Sequence, residues 1–197
     1  MASRRRSPRR CARCRVLSRW NWCEGLVKRT PVISTSRLRL CPFRQGDLRL
    51  LVSLHGDPLV QRFLTFENEV WDEAVLRDKL DLYRRDYSRY GWSKFAVFDL
   101  DGDFVGRAGF GRFEDTGESE LGFSFKRAVW GRGYASEADL ALVEWIYAAS
   151  SVDHVIAFAA EDNVASRAVL VKLGMISEGT RKLGDTSFAF YRHDRPH

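Results

Sequence analysis

The chain has 197 residues, enough for one domain with a core of useful size, and its apolar content is that of a soluble globular protein. Its net charge of +6 sits at one end: residues 1–30 hold ten Lys/Arg and one Glu, which leaves residues 31–197 at −3. That distribution argues against nucleic-acid binding by the folded part. The longest apolar run, Val155 to Ala160, has six residues, far short of the roughly 20 that span a bilayer, so no membrane segment is expected.

Residues 1–30 read as a basic extension to a domain covering 31–197. No apolar stretch follows the arginines, so the extension is not a secretory signal. A transit peptide, an RNA-binding arm and a disordered tail all fit its composition. Cys11-x-x-Cys14 has metal-ligand spacing but lacks a second pair or a His at the usual distance, so no metal is expected. Cys23 and Cys41 complete the cysteines. With none after residue 41, a reducing cytoplasm is the expected compartment.

Thr35 to Phe43 alternates and reads as a first strand ending at Pro42. Gln45 to Leu54 reads as a short amphipathic helix, His55-Gly56-Asp57-Pro58 as a break, and Leu59 to Leu64 as another short helix. Trp71 to Tyr90 carries apolar residues at helical spacing and starts near Asp72. Lys94–Leu100, Phe104–Phe113 and Glu118–Phe125 form a meander turned at Asp101-Gly102 and Asp115-Thr116-Gly117.

A helix is expected over Tyr134 to Ala149, a buried strand over Asp153–Ala160, and a helix capped by Asp162 or Asn163 and closed by Gly174. Met175–Arg181 and Thr186–Tyr191 make a final hairpin. The result is an α+β fold (mixed α/β). It has a mostly antiparallel twisted sheet of about seven strands, one parallel βαβ crossover and four to five helices.

The meander's last strand runs into Lys126-Arg127-Ala128-Val129-Trp130, then Gly131-Arg132-Gly133-Tyr134-Ala135-Ser136 at the start of a helix. Two glycines let main-chain N–H groups converge, and the helix adds its unpaired first N–H groups and positive dipole end. Such a loop holds a phosphate or pyrophosphate. From the glycines alone, a simple tight turn remains equally open. The P-loop pattern is absent. The dinucleotide fingerprint matches only in part, because Ser136 stands where its third glycine belongs.

Taken in order, these segments resemble the GNAT (GCN5-related) N-acetyltransferase family over about residues 34–193. Trp130 to Ala135 resembles the family's pyrophosphate loop. Asn163-Val164-Ala165-Ser166 through Lys172-Leu173-Gly174-Met175 resembles the segment after its fifth strand. Ser36-Arg37-Leu38-Arg39-Leu40 through the His55–Leu64 stretch resembles the RimJ/RimL branch.

The resemblance implies acetyl transfer from acetyl-CoA to a primary amine, either a protein N-terminus or a small molecule, by a monomer or homodimer with no metal. It implies cofactor contacts at Phe123, Ser124 and Phe125, at Trp130, Gly131, Arg132, Gly133, Tyr134, Ala135 and Ser136, and at Asn163. It also implies Glu120 as general base and Ser166 as an aid to thiolate protonation. The tyrosine that many members use as general acid falls at Leu170. A GNAT fold that holds acyl-CoA without turnover is the alternative. The acceptor site is expected between residues 55–75 and the final hairpin, with Glu67, Glu69 and Asp72 as acids that attract an amine.

Overall fold

Alternating burial sorts each central strand into two faces, and each face calls for its own cover. In the computed structural model, which describes residues 29–64 and 71–196, Phe95 and Val97 of β3 (Lys94–Asp99) point to one face and Ala96 and Phe98 to the other. In β4 (Phe104–Arg112), Ala108 and Phe110 join the first face. The register shifts between Val97, opposite Gly106, and Phe98, opposite Phe104. That shift puts Phe104 on the second face, although Val105 beside it reaches the first. Leu121 and Phe125 of β5 (Ser119–Phe125) continue the first face.

The first face is covered by α4 (Tyr134–Ala149) and α5 (Val164–Lys172) through Ala138, Leu142, Ile146 and Leu170. Leu142 and Ile146 are fully buried, each worth roughly 1.5–3 kcal/mol of apolar burial. The second face is covered by α1 (Leu48–His55), α2 (Pro58–Gln61) and α3 (Glu73–Tyr90) through Leu51, Leu54, Val60, Leu76, Leu80 and Tyr83. Asp72 caps α3 by accepting from the Val75 N–H, and Gly91, at φ 76°, closes it. Asn163 caps α5 in the same way.

The sheet has eight strands in the order β1-β2-β3-β4-β5-β6-β8-β7. The others are β1 (Ile33–Ser34), β2 (Leu38–Pro42), β6 (His154–Ala160), β7 (Ile176–Leu183) and β8 (Thr186–Asp194). Every neighbouring pair is antiparallel except β5 and β6, which α4 connects. This bears out the mixed fold with one parallel crossover.

The opening segment differs from its expectation. The strand expected over Thr35 to Phe43 is β2, which ends at Pro42 as expected but starts only at Leu38: a turn at residues 35–37 folds a further short strand, β1, back on it. The Leu38 N–H donates to Thr35 Oγ1 at 2.9 Å and the Thr35 N–H to the Leu38 carbonyl at 3.0 Å. A threonine hydroxyl that satisfies the backbone locally competes with a strand ladder, and the extra strand raises the expected seven to eight.

Most of the basic extension lies outside the described residues, with Cys11, Cys14 and Cys23. Its last two residues are described, and Arg29 donates to Asp47 at 2.8 Å. Among the described residues no helix is long and apolar enough to cross a membrane.

Candidate active site

The sheet opens in its middle. β4 and β5 stay matched from Gly106 opposite Phe125 to Arg112 opposite Ser119, and β6 and β8 are matched along their whole length. β5 and β6 meet at a single pair, Glu120 with Ile156, and separate beyond it. Main-chain groups alternate in direction along a strand. The Lys126 N–H donates to the Val105 carbonyl of β4 at 2.8 Å, so the N–H groups of Phe123 and Phe125 face the other way, into the opening. The Phe125 carbonyl also faces the opening, where the Trp130 indole N–H donates to it at 2.7 Å.

At the mouth of the opening stands the N-terminus of α4. Gly131 and Gly133 both adopt positive φ, 72° and 76°, which glycine alone takes without strain. Gly133 is the N-cap and has no side chain to cap with. Among the described residues, no protein acceptor takes the N–H groups of Gly131, Gly133, Tyr134, Ala135 or Ser136. The loop is held from behind. Glu137 accepts from Thr35 and Ser36 hydroxyls and from Arg37 Nε at 2.6 Å, while Arg37 Nη1 donates to the Arg132 carbonyl at 2.9 Å. Burial alone would raise the Glu137 carboxyl, but these hydrogen bonds outweigh it and hold its pKa below the usual range. The Arg37 guanidinium also lies 4.8 Å from the Tyr134 ring centre.

Behind the opening lies a cavity of about 440 Å3 that passes through the sheet. Phe123, Asn163, Ser166 and Leu170 line it on the side of α4 and α5, and Glu120, Phe63, Leu64, Trp71, Tyr83 and Phe188 line the far side. Glu120 Oε2 accepts from Lys94 Nζ at 2.8 Å, and the same ammonium donates to the Gly109 and Glu120 carbonyls. Burial lowers the Lys94 pKa, and the Glu120 charge partly restores it. The pair lies flat on the sheet because Gly122 has no side chain: a Cβ there would come within 2.6 Å of Lys94 Nζ and Glu120 Oε1.

The expected site residues divide by position. Glu120, Phe123, Asn163 and Ser166 all line the cavity, Glu120 on the side of the sheet that carries Lys94 and the other three on the side of α4 and α5, and residues 130–136 form its mouth. Ser124 does not share the wall with Phe123, because alternate residues face opposite sides; its hydroxyl is buried toward α3 without a partner among the described residues. The Asn163 amide oxygen is taken up in capping, 3.2 Å from the Ser166 N–H. Glu67 and Glu69 lie outside the described residues, and Asp72 is spent on its helix cap.

The sequence passes over Lys94 and Arg107, which had a signal as lone charges within the apolar runs of β3 and β4, and it offers His55 either beside a cleft or, more commonly, on the surface. His55 is buried, 4.9 Å from the Trp71 ring, and its Nε2 accepts from Arg107 Nε at 3.3 Å. Burial, then Arg107 and Lys79, push its pKa down to about 2. Asp139 of α4 is fully buried with neither carboxylate oxygen partnered among the described residues. Burial raises its pKa well above the usual carboxylate value. Among the described residues no cluster of His, Cys, Asp or Glu suits a metal ion.

A sheet split beside a glycine-rich helix start, with a carboxylate beyond the split, defines an acyl-transfer enzyme. The chain belongs to the GNAT acetyltransferase family: residues 37–176 match the model of the acetyltransferase (GNAT) domain. It is 29% identical over 161 residues to the Bacillus subtilis protein YkkB, spanning 80% of this chain and 92% of that one. It is 27% identical over 157 residues to an Aspergillus fumigatus FsC-acetyl coenzyme A-N(2)-transacetylase, spanning 76% of this chain and 66% of that one. In fold it resembles RimL, a ribosomal L7/L12 alpha-N-protein acetyltransferase solved with coenzyme A, at TM-score 0.71 and 17% identity, covering 83% and 97% of the two chains.

Proposed function

We propose that the protein moves an acetyl group from acetyl-coenzyme A to a primary amine by direct transfer in a ternary complex. The observation that carries this reading is the single opening between β5 and β6, which joins the free N–H groups at the start of α4 to the Glu120 carboxylate across the sheet. The Aspergillus relative is named for the same donor and bond type, and the RimL structure holds coenzyme A.

The pyrophosphate sits on the N–H groups of residues 131–136, where a helix start favours an anion, with Arg132 adding charge. The pantetheine arm takes the place of the missing strand against Phe123 and Phe125. The Phe125 N–H meets the thioester oxygen and stabilises the developing oxyanion, a donor typically worth about 3–4 kcal/mol. Glu120, held in place by Lys94 at 2.8 Å, takes a proton from the incoming amine. The amine nitrogen bonds to the acetyl carbon, the carbon–sulfur bond breaks, and the thiolate gains a proton through water held at Ser166. Leu170 supplies none. Cys41 is buried and forms no disulfide among the described residues.

The test is thermal stability with acetyl-CoA, NADH or ATP, followed by thiol release over an amine panel. Acetyl-CoA alone is expected to stabilise the protein, by about 2.7 kcal/mol at 100 times its Kd. No shift with acetyl-CoA would remove the assignment. A shift without thiol release would favour a binding module that lacks turnover.

A further inference from the structure

Among the described residues, nothing balances one charge on the far side of the cavity. Arg107 of β4 lines it and is only 5% exposed. The other cavity cations differ. Lys94 is matched by Glu120 at 2.8 Å, the Arg112 charge bears on Asp86, and the Lys79 ammonium lies 3.9 Å from the Trp71 ring centre. Arg107 has no carboxylate within ion-pair distance among the described residues. Its Nε donates to His55, which is held neutral and brings no countercharge. The Trp71 and Tyr83 rings lie 5.5 and 5.9 Å from the guanidinium carbon. They offer the weak attraction of an aromatic face. The two Nη groups donate to no described residue.

A lysine so placed can shed its proton, whereas a guanidinium cannot. A buried charge without a partner is costly, and a guanidinium fork matches two anionic oxygens. A second observation points the same way. Ser124 is the cross-strand partner of Arg107 in the β4–β5 register and shares its face; its hydroxyl is buried without a partner among the described residues. Arg107 reaches the cavity itself and Ser124 lies beside it in the strand behind; apolar Leu64, Leu82, Phe63 and Phe188 line the same cavity, together with the acids Asp86, Glu114 and Glu120.

We infer that the acceptor amine carries an anionic group, a carboxylate or phosphate, and that Arg107, with Ser124 beside it, reads that group. This rests on the proposed acetyl transfer and narrows its acceptor. Arg107 is here a specificity residue, distant in role from the proton transfer at Glu120.

The test compares matched acceptors in the full chain by thiol release: leucine and phenylalanine, their amides, and the amines that lack the carboxylate. Ethanolamine with and without its phosphate ester forms the other arm. A site built for a polar group rejects an analogue that lacks it, so the preferred anionic acceptor should exceed its neutral match in kcat/KM by about 100-fold or more. Arg107→Met should erase that preference, mostly through KM, and leave the neutral amines and the melting temperature unchanged or raised. Arg107→Lys should retain part of it. The better arm identifies the anion as carboxylate or phosphate.

Equal rates for anionic and neutral acceptors, or an equal loss for all of them in Arg107→Met with a lower melting temperature, would overturn the inference. If no amine is acetylated, calorimetry decides with N-acetyl-leucine, N-acetyl-leucinamide and inorganic phosphate as ligands. Binding of an anion that Arg107→Met abolishes supports the site even where acetyl-CoA fails to bind, and no anion preference discards it.

Discussion

At Glu120 two residues share one task. Glu120→Gln keeps the shape of the side chain but takes no proton. Turnover by the variant should fall more than about 30-fold with acetyl-CoA affinity kept, within the range of general-base losses. Unchanged turnover would remove Glu120 from the mechanism. Lys94→Met tests the pair from the other side. The Lys94 ammonium holds one Glu120 oxygen at 2.8 Å, so its loss should free the carboxylate from its position and lower kcat about tenfold with acetyl-CoA affinity kept. Unchanged turnover would show that Lys94 does not position the base.

Asp139 gives a prediction about stability. Burial holds its carboxyl protonated in the folded state well above the value at which the unfolded chain ionises it. Above that ordinary value the native state binds one proton more than the unfolded state, so the stability it contributes is lost as pH rises, at up to about 1.4 kcal/mol per pH unit. Asp139→Asn should flatten this slope and raise stability at neutral pH, as read from urea melts between pH 5 and 8. A parallel slope in both proteins would mean that the carboxylate finds a partner in solution.

At the scale of elements, the start of α4 can be tested without harming the fold. Ser136 lies in its first turn, where a negative side chain favours the helix dipole. Ser136→Asp should therefore keep or raise the melting temperature while weakening acetyl-CoA on the order of tenfold or more, because the new carboxylate competes with the pyrophosphate for the same field. Unchanged affinity would move the pyrophosphate elsewhere.

The elements themselves were largely legible. Asp72 and Asn163 are caps, Gly91 and Gly174 are stops, and the limits of α4 follow from Gly133 and the apolar spacing to Ala149. Those signals act over three or four residues, which is why a sequence displays them. The opening in the sheet has no such local mark, since it depends on where β6, some thirty residues after β5, stops pairing. Lys94 and Arg107 were hidden for a related reason. Their neighbours Glu120, His55 and Ser124 come from other elements: the β3–β4–β5 register brings Lys94, Arg107, Glu120 and Ser124 to one face, and the packing of α1 on that face brings His55. Glu120 was singled out because it precedes the apolar run at which the resembled family carries a glutamate; its cation had no such mark.

At the scale of the whole molecule, the two faces of the sheet divide the work. Helices α4 and α5 flank the mouth assigned to the donor, while α1, α2 and α3 pack on the face that presents Arg107. On the proposed reading the amine and the acetyl group approach from opposite sides, and the sheet keeps them apart except at the opening.

The order β6-β8-β7 has its own consequence for how the domain folds. β8 follows β7 in sequence, yet it lies inside the sheet, with β7 outside it. Until Thr186–Asp194 pair with it, β6 is a bare, mostly apolar edge with no antiparallel neighbour. A bare edge is the part of a sheet most prone to pairing with another chain. One hairpin closing at Gly184 therefore both completes the sheet and covers that edge.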